Sequence, residues 1–263
     1  MACRICRGKL FAKGSMHSKN FRAESEDAER NAVEFCKDKS WAVPNLRVSG
    51  YAIISEPCTE MFEFMDGVTS DACAFRLLEA CFAVMQAMHS SGCLHLDFHP
   101  RNLVLSTVIK DGAVTVTAGG SLYGVYCIDF ETMWHPSLAA GPFDVVGDIW
   151  NDIRVGGMGR MPHSAYTVQG AGCYDVYTFC TYCIRFVTNK HFDLAKHALY
   201  SLCGLDCKKD LPFVVAEMDG REQRYHTYLM APSTSVKSAA RAVELFGILR
   251  KLVDAVAVRH KSC

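Results

Sequence analysis

Asp97, Asn102 and Asp129 are the residues of this chain whose types and spacing could carry out chemistry. Asp97 and Asn102 stand in Leu94-His95-Leu96-Asp97-Phe98-His99-Pro100-Arg101-Asn102, followed at once by the apolar run Leu103-Val104-Leu105. Asp129 closes a second apolar run in Tyr126-Cys127-Ile128-Asp129-Phe130-Glu131. A carboxylate held in a fixed loop can orient a hydroxyl and take its proton. An amide oxygen and a second carboxylate are hard donors of the kind magnesium prefers. Together they have the make-up of a phosphoryl-transfer site, where the protein supplies position and charge neutralisation rather than covalent chemistry.

Other chemistries fit these residue types less well. His89, His95, Asp97 and His99 include a His pair at metal-motif spacing, but Pro100 follows directly and the stretch has no helical period to bring the two rings to one face. Cys3-x-x-Cys6 lacks a companion pair, and Cys180-x-x-Cys183 lies in an apolar helical pattern that reads as core packing.

The bulk composition limits the function classes. With 28 Lys plus Arg against 28 Asp plus Glu, the 263 residues carry no net charge and give no support for a nucleic-acid partner or a polybasic membrane contact. Half of the residues are hydrophobic, enough for a sizeable core. The 14 cysteines are scattered rather than framed as in a small secreted domain. No apolar N-terminal run suggests a signal peptide, and no stretch reaches the ~20 apolar residues needed to span a bilayer. The expectation is an intracellular protein with reduced thiols.

The elements that must position these residues can be read in order. Residues 1–16 read as strand and 22–37 as a helix with acidic residues in its first half, where they complement the helix dipole. Asn45–Val48 and Tyr51–Ile54 read as strands around a Ser49-Gly50 turn. Ala74, Leu77, Leu78, Cys81, Val84, Met85 and Met88 recur at helical spacing, so a buried helix spans 71–91 and ends at Gly92. Leu103–Ser106, Ala113–Thr117 and Tyr123–Ile128 read as strands, separated by Lys110-Asp111-Gly112 and Ala118-Gly119-Gly120-Ser121. Residues 132–172, rich in Gly and Pro, read as a long functional loop with at most short helices. An apolar helix opens at Tyr174-Asp175, and Leu194–Leu202 and Ala239–Val258 follow as helices.

His-x-Asp-x-x-Pro-x-Asn followed by apolar-Asp-Phe resembles the protein-kinase-like superfamily, over about residues 8–190. The resemblance implies an α+β, two-lobed protein-kinase-like fold. Residues 1–58 would be a truncated β-rich small lobe. Residues 59–263 would be a mainly helical large lobe, with catalytic loop 94–102 and an activation-segment-like loop 129–172. It implies Asp97 as the base that orients the substrate hydroxyl, and Asn102 and Asp129 as Mg2+ ligands. Phe11-Ala12-Lys13 resembles the end of the third kinase strand, which makes Lys13 a phosphate contact; Glu29, which shares an inward stripe with Ala32, Val33 and Cys36, becomes its partner in preference to Glu34. Ser55 would line the back of an ATP pocket, and the Glu56 carbonyl and Cys58 N–H would meet the adenine edge, since Pro57 has no N–H. His95 is implied to support backbone. Asp175 either ties down the catalytic loop or is an ordinary N-cap.

Departures from the kinase pattern keep three functions open. No Gly-x-Gly-x-x-Gly precedes Lys13, Leu96 replaces the usual Arg, His99 stands where protein Ser/Thr kinases carry Lys, and Glu131 replaces the Gly of Asp-Phe-Gly. His99 and Glu131 are similar to aminoglycoside and choline kinases. The Tyr174–Phe179 pattern and a compact chain with a Glu56-Pro57-Cys58 hinge are similar to protein kinases, including those of large DNA viruses. The leading expectation is ATP- and Mg2+-dependent phosphoryl transfer to a protein Ser/Thr hydroxyl. The alternatives are a small-molecule kinase and a pseudokinase binding module.

Overall fold

The computed structural model describes residues 30–49, 52–130, 133–138, 168–203 and 237–261. These are a mixture of helices and small antiparallel sheets. They fall into two compact units, one drawn from Met1–Gly67 and Ala87–Ile149, the other from Val68–Gln86 and Trp150–Cys263. Lys13, Glu29 and Glu131 lie outside the described residues, as does most of the loop 132–172.

The first unit begins with helical residues 30–36 (α1), whose Ala32, Val33 and Cys36 are buried as the inward stripe required. Strands β1 (Arg47–Ser49) and β2 (Ala52–Ile54) pair antiparallel, with Val48 opposite Ile53. The first of these is shorter than its apolar run suggested. Asn45 sits at φ 55°, a left-handed conformation that Asn tolerates and a strand excludes, and its amide donates to Glu56 Oε2 at 2.6 Å.

A four-stranded sheet carries the loop of interest. Its order is β3 (Thr59–Glu60), β4 (Leu103–Ser106), β6 (Ser121–Cys127), β5 (Thr115–Ala118), with every neighbour antiparallel. Strand β4 is buried at all four positions, as a central strand with an unbroken apolar run should be. Gly119 and Gly120, at φ 56° and 78°, form the two-residue link between β5 and β6, where a primed turn needs positive φ at both positions. Strand β5 therefore runs to Ala118, one residue past the expected end at Thr117. Short helix α2 (Met61–Asp66) follows β3, with Met61 and Met65 buried.

Helix α3 (Asp71–Ser90) ends in a Schellman cap. Gly92, at φ 81°, donates its N–H to the His89 carbonyl at 3.0 Å, and Cys93 donates to Met88 at 3.2 Å. The chain is thereby turned into Leu94, which pairs with Trp134 through two backbone bonds of 2.9 and 2.8 Å.

The second unit is helical in its described residues. Besides the start of α3 it holds α4 (Val168–Asn189), α5 (Asp193–Cys203) and α6 (Ala239–Lys261). Phe82 packs edge-on against Phe179 and Phe75 stacks on Phe246, with ring centroids 5.1 and 4.6 Å apart. Asp71 caps α5: its two carboxylate oxygens accept the N–H groups of Leu194 and Ala195 at 2.9 and 3.2 Å. Helix α4 begins ahead of Tyr174, because Gly170 and Gly172, which read as loop punctuation, are absorbed into it. Asp175 is consequently a fully buried residue inside the helix and not its N-cap. Cys180 and Cys183 are buried core residues of the same helix.

Candidate active site

The loop Leu94–Asn102 is fixed to the strand that carries Asp129 from two directions. His95, completely buried, lies 3.0 Å through Nε2 from the Ile128 carbonyl. A carbonyl only accepts, so His95 Nε2 carries the proton and donates. Phe98 and Phe130 flank that ring, with centroids 5.8 and 6.0 Å away. Ile128 N–H in turn donates to the Asn102 carbonyl at 3.0 Å, extending the ladder in which Leu103 faces Cys127. The register places Asp129 one residue beyond this rung, so the residue before β4 and the residues after β6 meet at one end of the sheet.

Pro100–Asn102 form a turn of 3-10 helix with His99 as its N-cap. The bonds of Asn102 orient its side chain. Its Nδ2 donates to the Asp97 carbonyl at 2.9 Å and to Asp97 Oδ2 at 3.1 Å. Both partners are acceptors, so the amide nitrogen must face Asp97 and the amide oxygen must face away. His99 supplies a second contact to the same carboxylate oxygen, with Nε2 at 3.4 Å from Asp97 Oδ2. Asp97 Oδ1 is buried and has no hydrogen-bond partner among the described residues. An ionised carboxylate has about four acceptor sites, so this one keeps capacity for a further donor.

The electrostatics favour the ionised form of Asp97. Burial is the largest single influence and opposes ionisation. The His99 ring, His95 and the Asn102 amide together outweigh it and hold the carboxyl below its ordinary range. Asp97 is therefore a carboxylate at neutral pH.

Backbone conformation is also unusual at two points of this loop-and-strand assembly. Leu96 and Asp129 lie at φ 64° and 61°, left-handed positions that side-chain-bearing residues adopt at a cost of about 1 kcal/mol or more. They immediately precede Asp97 and coincide with the second carboxylate, so the sequence accepts strain where it sets the direction of the acidic groups. At Leu96 nothing in residue type signals this beforehand, since Leu is ill suited to positive φ, whereas Asp is among the types that tolerate it.

The expected adenine contacts fall on the segment entering the same sheet. Glu56 N–H donates to the Pro44 carbonyl at 2.9 Å, and the Glu56 carbonyl accepts the Ser55 hydroxyl at 3.1 Å. That carbonyl keeps a second lone pair. The Ser55 hydroxyl is thus spent on its neighbour. Cys58 is half-buried and leads directly into β3, whose Glu60 faces Val104. Asp97, Asn102 and Asp129 are thus gathered by contacts and register, and Glu56 and Cys58 are tied to their sheet through β3.

The oxygen donors fit a magnesium ion. Asn102 presents its amide oxygen away from Asp97, and Asp129 adds a carboxylate one rung along, a donor set of the hard kind that magnesium prefers.

No family model matches the chain, and no curated protein matches it. Among solved structures it is similar to WaaP in complex with acyl carrier protein, at 12% identity, covering 76% of each chain with a TM-score of 0.41. It is also similar to the Rad53 kinase domain with SCD2, at 10% identity, covering 84% of this chain and 86% of that one with a TM-score of 0.36. At these scores neither likeness decides what the chain does; that rests on the loop itself. Among the described residues no helix is long and apolar enough to cross a membrane.

Proposed function

We propose that the chain is a phosphotransferase of the protein-kinase-like kind, using ATP and magnesium to phosphorylate a Ser or Thr hydroxyl of a protein. The observation that carries this reading is the Asp97–Asn102 contact: one amide nitrogen holds both the carboxylate and the carbonyl of the base, which leaves the amide oxygen facing away from it.

In this reading Asp97 orients the attacking hydroxyl and accepts its proton as the new P–O bond forms and the bond from the transferred phosphorus to ADP breaks, with ADP leaving. A carboxylate held below its ordinary range is a weak proton sink at the outset, so its main contribution is orientation. Magnesium, when bound, supplies charge neutralisation at the phosphates, and Asn102 and Asp129 would hold it. His95 keeps Ile128 in register and so sets the height of Asp129. Lys13, steadied by Glu29, is assigned to the phosphates, and the Glu56 carbonyl and Cys58 N–H to the adenine edge.

The test is transfer of labelled phosphate from ATP, with and without magnesium, to basic proteins and to a panel of sugars, aminoglycosides and choline. Asp97→Asn and Asp129→Asn are expected to lower the rate by at least about 100-fold. Full activity in either variant overturns the assignment. Preference for the small molecules would shift the substrate to that class, the reading that His99 favours. A thermal-stability titration completes the set: ATP at about 100 times its Kd would stabilise the wild type by about 2.7 kcal/mol. That gain should need both magnesium and Asp129. No stabilisation and no transfer would leave a binding module without catalysis.

A further inference from the structure

His99 is a buried side chain engaged at both ring nitrogens. Nδ1 accepts the backbone N–H of Arg101 at 3.2 Å, the N-cap bond of the 3-10 turn. An N–H can be accepted only by a bare nitrogen, so Nδ1 carries no proton. The neutral ring must then carry its proton on Nε2, which lies 3.4 Å from Asp97 Oδ2. Arg101 N–H thus selects the tautomer, and the tautomer gives Asp97 a directed donor. Asn102 Nδ2 approaches the same oxygen, so two donors three positions apart in the chain converge on Oδ2. Two convergent donors fix the rotation of a carboxylate, which a single one does not.

We infer that His99 is a positioning residue for Asp97: the Arg101 N–H sets its tautomer, and its Nε2–H holds the carboxylate at the angle from which it meets the acceptor hydroxyl. This rests on the phosphotransferase reading for its consequence in rate, though not for the bond itself.

Two substitutions separate this role from simple packing. Gln places its amide nitrogen near the position of Nε2, so His99→Gln keeps a donor to Asp97. Asn reaches only the position of Nδ1, so His99→Asn keeps the polarity and loses that donor. His99→Asn is expected to lower kcat by up to about 100-fold, the cost of a misplaced reacting group, while KM for ATP stays within about two-fold. His99→Gln is expected to recover most of the loss. Equal rates in all three proteins, or equal losses in the two variants, overturn the inference.

A second measurement does not depend on turnover. Long-range nitrogen NMR of the wild-type ring is expected to report a bare Nδ1 and a protonated Nε2 whose resonance moves in Asp97→Asn. A proton on Nδ1, or an Nε2 resonance indifferent to Asp97→Asn, overturns the inference even in an active enzyme. If no acceptor is phosphorylated, the function proposed above fails, and the NMR result alone decides the His99–Asp97 bond.

Discussion

At the scale of single residues, Asn102 has two tasks that its geometry divides between two atoms. The nitrogen holds Asp97 through two hydrogen bonds, and the oxygen, turned away from Asp97, is the atom proposed to meet the metal. Asn102→Ala removes both tasks. Losing the hydrogen bonds to the half-buried Asp97, one to its carbonyl and one to its carboxylate, should cost about 1–3 kcal/mol of stability. The magnesium concentration for half-maximal transfer should also rise by at least about 10-fold. Urea denaturation and a magnesium titration of the rate check the two effects separately. A variant with lowered stability and unchanged magnesium demand would leave Asn102 a structural residue only. Buried thiols show the opposite case. Burial pushes Cys36 and Cys81 far above the ordinary thiol range, so they stay protonated and act as core packing rather than as nucleophiles.

At the scale of elements, the sheet behind the loop depends on a glycine that its strand pattern does not ask for. A Cβ on Gly124 would collide with the Tyr126 hydroxyl oxygen and lie 2.6 Å from two ring carbons. The ring cannot easily yield, because its hydroxyl accepts Lys110 N–H at 2.8 Å and donates to the Val108 carbonyl at 3.1 Å. Gly124→Ala should therefore destabilise the fold by about 1–3 kcal/mol, the usual range for overpacking. Tyr126→Ala added to it should recover part of the clash, so the double variant should lose less than the sum of the singles. Strict additivity in a denaturation cycle would show that the contact is relieved some other way. In the second unit, Asp71→Ala should cost about 0.5–2 kcal/mol, since it uncaps the first turn of α5. Chemical denaturation checks the size, and the helix start should exchange its Leu194 and Ala195 amides faster.

At the scale of the whole molecule, stability should depend on pH through His135. Its ring packs on Phe35 with centroids 4.3 Å apart, and Nδ1 accepts the Ser137 N–H at 3.0 Å. Burial, assisted by the positive charge of Lys39, holds its pKa below the ordinary value. The unfolded chain then takes up the proton first, so unfolding gains from every step down in pH. The stability His135 contributes is fully present above about pH 6.5 and is lost as pH falls through its folded value. His135→Phe keeps an aromatic ring on Phe35 and removes the titration. Urea midpoints at about pH 7.5 and 5.5 should differ less in the variant than in the wild type. An equal difference would clear His135 of the effect.

What the sequence determined alone is what local physics decides. The period of Ala74 to Met88 required helix α3, and Gly92 its cap. Gly119-Gly120 required the tight link between β5 and β6. The types and order of Asp97, Asn102 and Asp129 indicated an acidic, oxygen-rich site. The helix and the two glycine turns are effects of neighbouring residues, where backbone preference and apolar period act directly; the site was indicated by residue type and order. Tertiary structure alone decided what lies far apart in the chain or turns on a side-chain angle. Lys110 Nζ binds the carbonyls of Lys37, Lys39 and Ala42, which are 73, 71 and 68 residues away. Asp71 caps a helix that starts more than 120 residues later, as the separations of 123 and 124 to Leu194 and Ala195 record. Asp175 moved from an expected helix start to a buried interior position because α4 already begins at Val168 and includes two glycines. His99 could be placed beside Asp97 only once the 3-10 turn had set its tautomer. Residue type fixes which bonds a group can make, and only the folded chain decides which partner stands within reach.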